Sequence, residues 1–418
     1  MANVRDYAAV TAAYWAFTLT DGALRMLVLL HFHRLGFSPV ELAFLFLLYE
    51  GMGILTNFFG GWIGARFGLR LTLFAGLAVQ IGALLMLSAM NPAWTMALSV
   101  AYVMTAQALS GVAKDLTKMS SKSAVKLVVK EDAAGGGGQG LLFRWVALLT
   151  GSKNALKGLG FFLGGLLLEV LGFAPALWVM AGMLALVLAA SLLRLKADMG
   201  KAKSPIKGRD LFSKTREINL LSIARIFLFA SRDVWFVVGV PIFLYSTLGW
   251  DFDAVGAFMA AWVIGYGMVQ ASVPKLLRRT TDAATGARAA RVWAGVLALI
   301  PAAIAAAMTP GALGLTGGDS AAVLIGGLLV FGAVFAVNSS VHSYLIVAYS
   351  DADKVAMNVG FYYMANAVGR LGGTLASGVI YQLAGLTATL WASAAMLAVS
   401  FLVTLALPTL AAEPERAG

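Results

Sequence analysis

Leu141 to Gly172 reads LLFRWVALLTGSKNALKGLGFFLGGLLLEVLG. The stretch is long enough to cross a bilayer as a helix, which takes about 20 residues. Yet Lys153 and Lys157 fall near its middle. A charge at that depth costs from about 2.5 kcal/mol upward, so such residues face a polar cavity or a partner rather than lipid. The two lysines are four apart and share one helix face. Gly158, Gly160, Gly164 and Gly165 follow, small residues of the kind that let membrane helices approach closely.

The stretch has an echo. A shift of 213 positions carries Lys157 onto Arg370, Gly160 onto Gly373, Gly165 onto Gly378, Glu169 onto Gln382 and Gly172 onto Gly385. It also carries Leu35-Gly36-Phe37 onto Leu248-Gly249-Trp250, and Asp21 and Asp233 lie 212 apart. Because 213 is close to half of 418, the chain reads as a duplicated unit with a cationic mid-helix residue at matching places. Lys157 and Arg370 then line a positive pocket, or they neutralise nearby carboxylates and only hold helices together. We favour the pocket.

The chain is 60% hydrophobic and 12% charged, where a soluble domain carries about 25% charged residues. This is the composition of a polytopic membrane protein. With no cysteine, disulfides and cysteine-ligated metals are excluded. His31, His33 and His342 are too scattered for a metal centre, and no cofactor is expected. No cleavable signal peptide is expected either, because the first apolar stretch is too long. The net charge of +11 raises nucleic acid as a partner, but the placement of the charge argues against it.

Twelve hydrophobic spans are expected, at about 7–32, 40–64, 70–89, 93–113, 141–169, 174–194, 217–246, 253–274, 291–308, 321–349, 355–382 and 387–408. Basic residues alternate between the two sides. One side collects Arg5, Arg66, Arg70, Lys114 to Lys130, Arg194 to Arg216, Lys275 to Arg291, Lys354 and Arg416; the other holds essentially Arg34. The positive-inside rule then puts both termini in the cytoplasm. The basic connection from Lys196 to Glu217 divides the chain into an N-terminal six-helix bundle (1–195), a linker (196–216) and a C-terminal six-helix bundle (217–418). EDAAGGGGQG (Glu131 to Gly140) reads as a flexible linker. Trp94, Trp178, Trp250 and Trp391 fall at outer span ends, as interfacial anchors do.

Six plus six spans in a parallel repeat is the arrangement of major facilitator transporters, with the site near mid-bilayer between the halves. Gly61 to Arg70, GWIGARFGLR, is similar to the superfamily's signature after the second span, with Ala65 at the usual acidic position. A narrower resemblance rests on Ala113 to Lys126, AKDLTKMSSKSAVK, together with the Lys153/Lys157 span. These resemble the ArsJ-type organoarsenical efflux permeases. That resemblance implies export of 1-arseno-3-phosphoglycerate, giving arsenate resistance in a bacterial inner membrane. Its functional partner would be a glyceraldehyde-3-phosphate dehydrogenase, with no direct contact required.

The expected intramembrane ionisable set is Asp21, Arg25, Glu50, Lys153, Lys157, Arg225, Arg232, Asp233 and Arg370, six cations against three carboxylates. Asp21 and Arg25 can pair on one helix, and Asp233 can pair across the halves. The excess calls for an anion of two to four charges. We expect Lys157 and Arg370 on opposite walls, with Arg25 and Arg232 completing the clamp and Lys153 able to replace one of them. Asn154, Gln107, Asn338, His342 and Asn366 are candidate neutral donors, with His342 equally a packed histidine. Asp21, Glu50 and Asp233 are candidates for proton coupling or ion pairing. Lys114, Lys118, Lys122, Lys126 and Lys130 recur every four residues. Such a stripe lies at anionic head groups, or its first two lysines draw anions into the mouth.

Two functions within transport stay open, export of an arsenylated or phosphorylated anion and organic phosphate exchange. A membrane enzyme acting on lipid head groups would need a nucleophile or metal cluster that the sequence does not offer. A monomer, a lipid bilayer and a small anionic substrate complete the expectation. Each negative charge leaving a negative interior gains about 2.3 kcal/mol per 100 mV, so export needs no proton coupling.

Overall fold

The computed structural model describes residues 2–91, 93–133, 138–195, 215–276, 283–309, 317–349 and 355–408. Outside the described residues lie most of the linker 196–216, residues 134–137 of the glycine-rich stretch, Arg416, and the side chains of Arg66, Arg144, Lys122, Lys126 and Lys130. Among the described residues the chain is all α-helical, without strands. The elements are α1 (Ala2–Arg34), α2 (Pro39–Ser88), α3 (Met96–Ala133), α4 (Gly138–Leu171), α5 (Phe173–Arg194), α6 (Arg216–Phe236), α7 (Gly239–Ile242) running into a π-helical turn (Phe243–Thr247), α8 (Phe252–Leu276), α9 (Ala283–Met308), α10 (Gly317–Ala348) and α11 (Val355–Leu405). Ten stretches are long and apolar enough to cross a membrane. α1, diluted by Asp21 and Arg25, is less apolar.

Two of these elements each contain two spans. A straight helix of 50 residues would measure about 75 Å, far beyond a hydrocarbon core of about 30 Å. α3 shows how α2 avoids this. Along α3, Tyr102 donates to the Met86 carbonyl, Ser110 to Gln80, and Ser120 meets Thr72, an antiparallel order. On its other side Asp115 and Lys118 meet Thr56 and Asn57, a parallel order. α2 therefore doubles back between Phe59 and Arg70. α11 does the same about α6: Arg225 meets Asn366 and Asp233 meets Arg370, while Ser393 and Ser400 bond back to Ser231 and Ala224. Its reversal is at Gly385, where φ is +72°.

The repeat is written into the backbone. The described residues with positive φ are Gly36 (+89°) and Gly249 (+69°), Gly172 (+80°) and Gly385 (+72°). Each pair is 213 apart. These left-handed turns tolerate glycine and strain other residues, and all four join helices at the same, short-loop end of the molecule.

Within the first group α2 packs on α3 and α5, and α1 on α4; within the second α11 packs on α6 and α9, and α9 on α10. Between the groups, α4 lies along α8 and α2 along α11. Both seams are glycine-lined. A methyl on Gly158 would come within 2.8 Å of the Ala260 carbonyl, and one on Gly165 or Gly378 would collide with the carbonyl of Phe252 or Pro39. The last two contacts are again images of each other under the shift of 213. At the short-loop end His33 Nε2 lies 2.7 Å from Ser246 Oγ, a bond between residues 213 apart. Val40 N–H donates to Gln382 Oε1 at 3.1 Å beside it.

Candidate functional site

A cavity opens between the two groups of helices, midway along α1, α2, α4 and α11 and extending toward the long-loop end. Asp21 of α1, Glu50 and Asn57 of α2, Lys114, Asp115 and Lys118 of α3 line it, as do Lys153 and Lys157 of α4 and Asn366 and Arg370 of α11. The rings of Tyr14, Phe17 and Tyr363 complete the wall.

Two ion pairs repeat across the molecule. Lys157 Nζ is 3.4 Å from Asp21 Oδ2, and Arg370 Nε is 3.3 Å from Asp233 Oδ2. Tyr49 hydroxyl donates to the other Asp21 oxygen at 2.5 Å. Arg232 takes the other Asp233 oxygen, also at 2.5 Å. A third contact has no image. Arg370 reaches across to Glu50 Oε1 at 2.5 Å, and Arg25 meets the same oxygen at 3.3 Å from both Nη1 and Nη2. Residue 263, the image of Glu50, is a valine.

These geometries correct several expectations. Asp21 does not pair with Arg25, although they lie one turn apart on α1. Arg25 turns to Glu50 and lies against the Phe46 ring, while α4 brings Lys157 to Asp21. Asp233 pairs with Arg232 and Arg370 of its own half, and the cross-half pair is Glu50–Arg370. Lys157 and Arg370 line the cavity from α4 and α11, but Arg25 and Arg232 are not among its lining residues. Arg232 packs over Phe229. Asn154 donates to Gln270 at 3.1 Å across the α4–α8 seam and is likewise outside the lining. Asn366 lines the cavity and accepts from Arg225 Nε at 3.1 Å. His342 is fully buried on α10.

The fourth expected span, ending near residue 113, corresponds to the apolar stretch Met96–Lys118, but the helix does not stop there. α3 continues to Ala133, and Thr117, Ser120 and Ser121 are buried along it. Lys114 therefore stands over the Tyr49 ring at 4.0 Å, and Lys118 bonds Asn57 at 2.8 Å and Asp115 at 3.2 Å. Both belong to the cavity wall rather than a head-group stripe. Asp115, buried and accepting from Thr56, was not among the sequence candidates. Its signal was present, a carboxylate one and three residues from two lysines on a continuing helix. Tyr14, Asn57 and Tyr363 carried no comparable signal.

A sequence profile described as Major Facilitator Superfamily matches residues 8–340. The chain belongs to the major facilitator superfamily. The crystal structure of the human organic anion transporter MFSD10 (TETRAN) aligns with a TM-score of 0.62, over 96% of this chain and 98% of that one, at 16% identity. At that identity the likeness is one of fold. No curated protein matches in sequence. As a major facilitator protein with apolar spans throughout, the chain is a multi-pass membrane protein, and its family points to transport rather than catalysis.

Proposed function

We propose that this protein exports a small organic anion bearing a phosphoryl or arsenyl group, by alternating access of the halves 1–195 and 217–418 about the linker 196–216. The single observation that carries this is the cavity's charge. Lys114, Lys118, Lys153, Lys157 and Arg370 face Asp21, Glu50 and Asp115, an excess of two cations. A buried excess of that kind favours a dianion. Arginine offers a planar fork for phosphate-like oxygens and lysine a point charge. The structural neighbour titled an organic anion transporter is in keeping with this chemistry.

Within this class, 1-arseno-3-phosphoglycerate is our first candidate, on the resemblance of 113–126 and of the Lys153/Lys157 span to the organoarsenical permeases. Lys157 and Arg370 hold the anion, Lys153 and Asn366 flank it, and Lys114 and Lys118 draw it in. By the positive-inside rule the termini and the long-loop end face the cytoplasm of a bacterial cell. The cavity then faces the cytoplasm, while the short-loop end is sealed by His33–Ser246 and Val40–Gln382.

The test is arsenate resistance in an arsenic-sensitive bacterium carrying this gene, with and without a co-expressed glyceraldehyde-3-phosphate dehydrogenase. Resistance with lower cell arsenic only when both are present is the expected result. No protection in either strain, with the protein in the membrane, would overturn the arsenical and leave organic phosphate exchange, to be read in vesicles.

A further inference from the structure

Arg225 is an intramembrane cation that, like Arg25 and Arg232, lies outside the cavity lining. It is buried, with 4% of its surface exposed, on α6. Among the described residues it has no carboxylate within 4 Å, unlike Arg25, Arg232 and Arg370. Neutral groups alone hold it. Nε donates to Asn366 Oδ1 at 3.1 Å, and Nη1 donates to the Ser339 carbonyl and hydroxyl at 3.2 and 3.1 Å. The Phe229 ring lies 4.0 Å from its guanidinium carbon. Neither Asn366 nor Ser339 engages Nη2.

Two further side chains bracket Ser339 on α10. Asn338 and His342 are fully buried, and among the described residues both polar atoms of each lack a hydrogen-bond partner. They are four residues apart and so share a helix face. Buried polar groups are nearly always satisfied, and an orphan is destabilising. Four orphaned atoms on the turn of α10 whose Ser339 holds a cation without a carboxylate are expensive for a merely structural cluster. The two donors among them, the Asn338 amide N–H and a His342 ring N–H, are accounted for if an anion visits. Asn338 supplies an amide donor and His342 a ring N–H, and Arg225 supplies the charge.

The cluster adjoins the cavity through Asn366, which lines the cavity on one side and holds Arg225 on the other. Asn366 and Arg370 are one turn apart on α11, about 6 Å along its axis. We infer that Arg225, Asn338 and His342 form a second anion subsite, entered by displacement of the Asn366 amide. It takes one end of a two-headed anion while Lys157 and Arg370 hold the other. The subsite rests on the anion-transport reading above and narrows it to substrates with anionic groups at both ends of a short carbon chain. Single-headed anions would use the Lys157/Arg370 site alone.

The test is binding to the purified full-length protein of two probes, 3-phosphoglycerate and inorganic phosphate. Arg225→Gln is expected to weaken 3-phosphoglycerate at least tenfold and phosphate less than twofold. Asn338→Leu guards against a misfolded variant. Replacing an orphaned polar group with an apolar one should leave thermal stability unchanged or raised if the role is structural. The subsite requires in addition a loss of 3-phosphoglycerate affinity of about fivefold. Equal losses for both probes in Arg225→Gln, or unchanged 3-phosphoglycerate affinity in Asn338→Leu, would overturn the subsite and leave the transport reading standing. A wild-type protein that binds neither probe would overturn both.

Discussion

Glu50 of α2 and Arg370 of α11 meet at 2.5 Å across the interface between the two helical groups, through the same carboxylate oxygen that holds Arg25. The other oxygen, Oε2, is buried without a partner. One carboxylate thus answers two arginines with half of its acceptors. On the proposed function, an arriving anion would compete with Glu50 for Arg370, and by winning it would loosen a link between the halves.

Glu50→Gln should expose that competition. Breaking a buried pair from one side costs about 3–5 kcal/mol. The empty variant should therefore unfold at a lower temperature than the wild type. A dianion should recover more stability in the variant, because the Glu50 carboxylate no longer competes with it for Arg370. Thermal unfolding with and without 3-phosphoglycerate measures both. An equal ligand-induced shift in the two proteins would argue against competition.

Lys157→Ala and Arg370→Ala are each expected to abolish transport while the protein still reaches the membrane. Lys157→Ala leaves Asp21 buried with its cation gone, so loss of folding must be separated from loss of function. The double variant Asp21→Asn/Lys157→Ala removes both charges and should recover expression without recovering transport. Vesicle uptake alongside membrane quantitation decides it, and unchanged transport in both single variants would remove these residues from the site.

The short-loop end can be locked. Because the chain has no cysteine, His33→Cys/Ser246→Cys introduces the only two thiols, at side chains that now lie 2.7 Å apart. A short bis-methanethiosulfonate, which spans the gap left by the lost imidazole, should crosslink them and stop transport, and reduction should restore it. A crosslinked protein transporting at the wild-type rate would show that this end need not open.

The same contact should respond to pH. Burial lowers the pKa of His33 below the ordinary histidine value of about 6.5. A group with a lowered folded pKa contributes stability that is present at neutral pH and lost as pH falls through that lowered value. Acidification should therefore weaken closure here, and His33→Gln, which stays neutral, should flatten the response. Labelling of a single Ser246→Cys thiol as a function of pH, with and without His33→Gln, reads it.

The spans and the duplication were legible because both are local signals. Apolar length marks a crossing, and the shift of 213 needs no knowledge of packing. Lys157 and Arg370 were legible because a cation amid apolar residues is itself an anomaly. Their partners were not. Asp21 and Arg25 sit one turn apart on α1, and sequence spacing cannot tell that Glu50 and Lys157 arrive from other helices to claim them separately. Asp115 escaped because Lys114, Asp115 and Lys118 read as the start of a loop. Only the burial of Thr117, Ser120 and Ser121 shows that α3 carries on. Arg225 was recognised as intramembrane, but its lack of a carboxylate is a fact of three-dimensional neighbourhood.

The absence of an image for Glu50 has a consequence for how such a machine can arise. Two separate identical chains meeting about a true two-fold axis must set like against like. Lysine would then face lysine in the cavity, and any glutamate introduced to balance them would come in duplicate and cancel the attraction for an anion. A chain that carries both copies is free of that constraint. It can keep one glutamate opposite a valine, make one cation an arginine and the other a lysine, and set a histidine against a serine where the axis passes. The unequal pair of cations and the single glutamate across the seam are in this sense products of broken symmetry, available to a fused protein and denied to its symmetric equivalent.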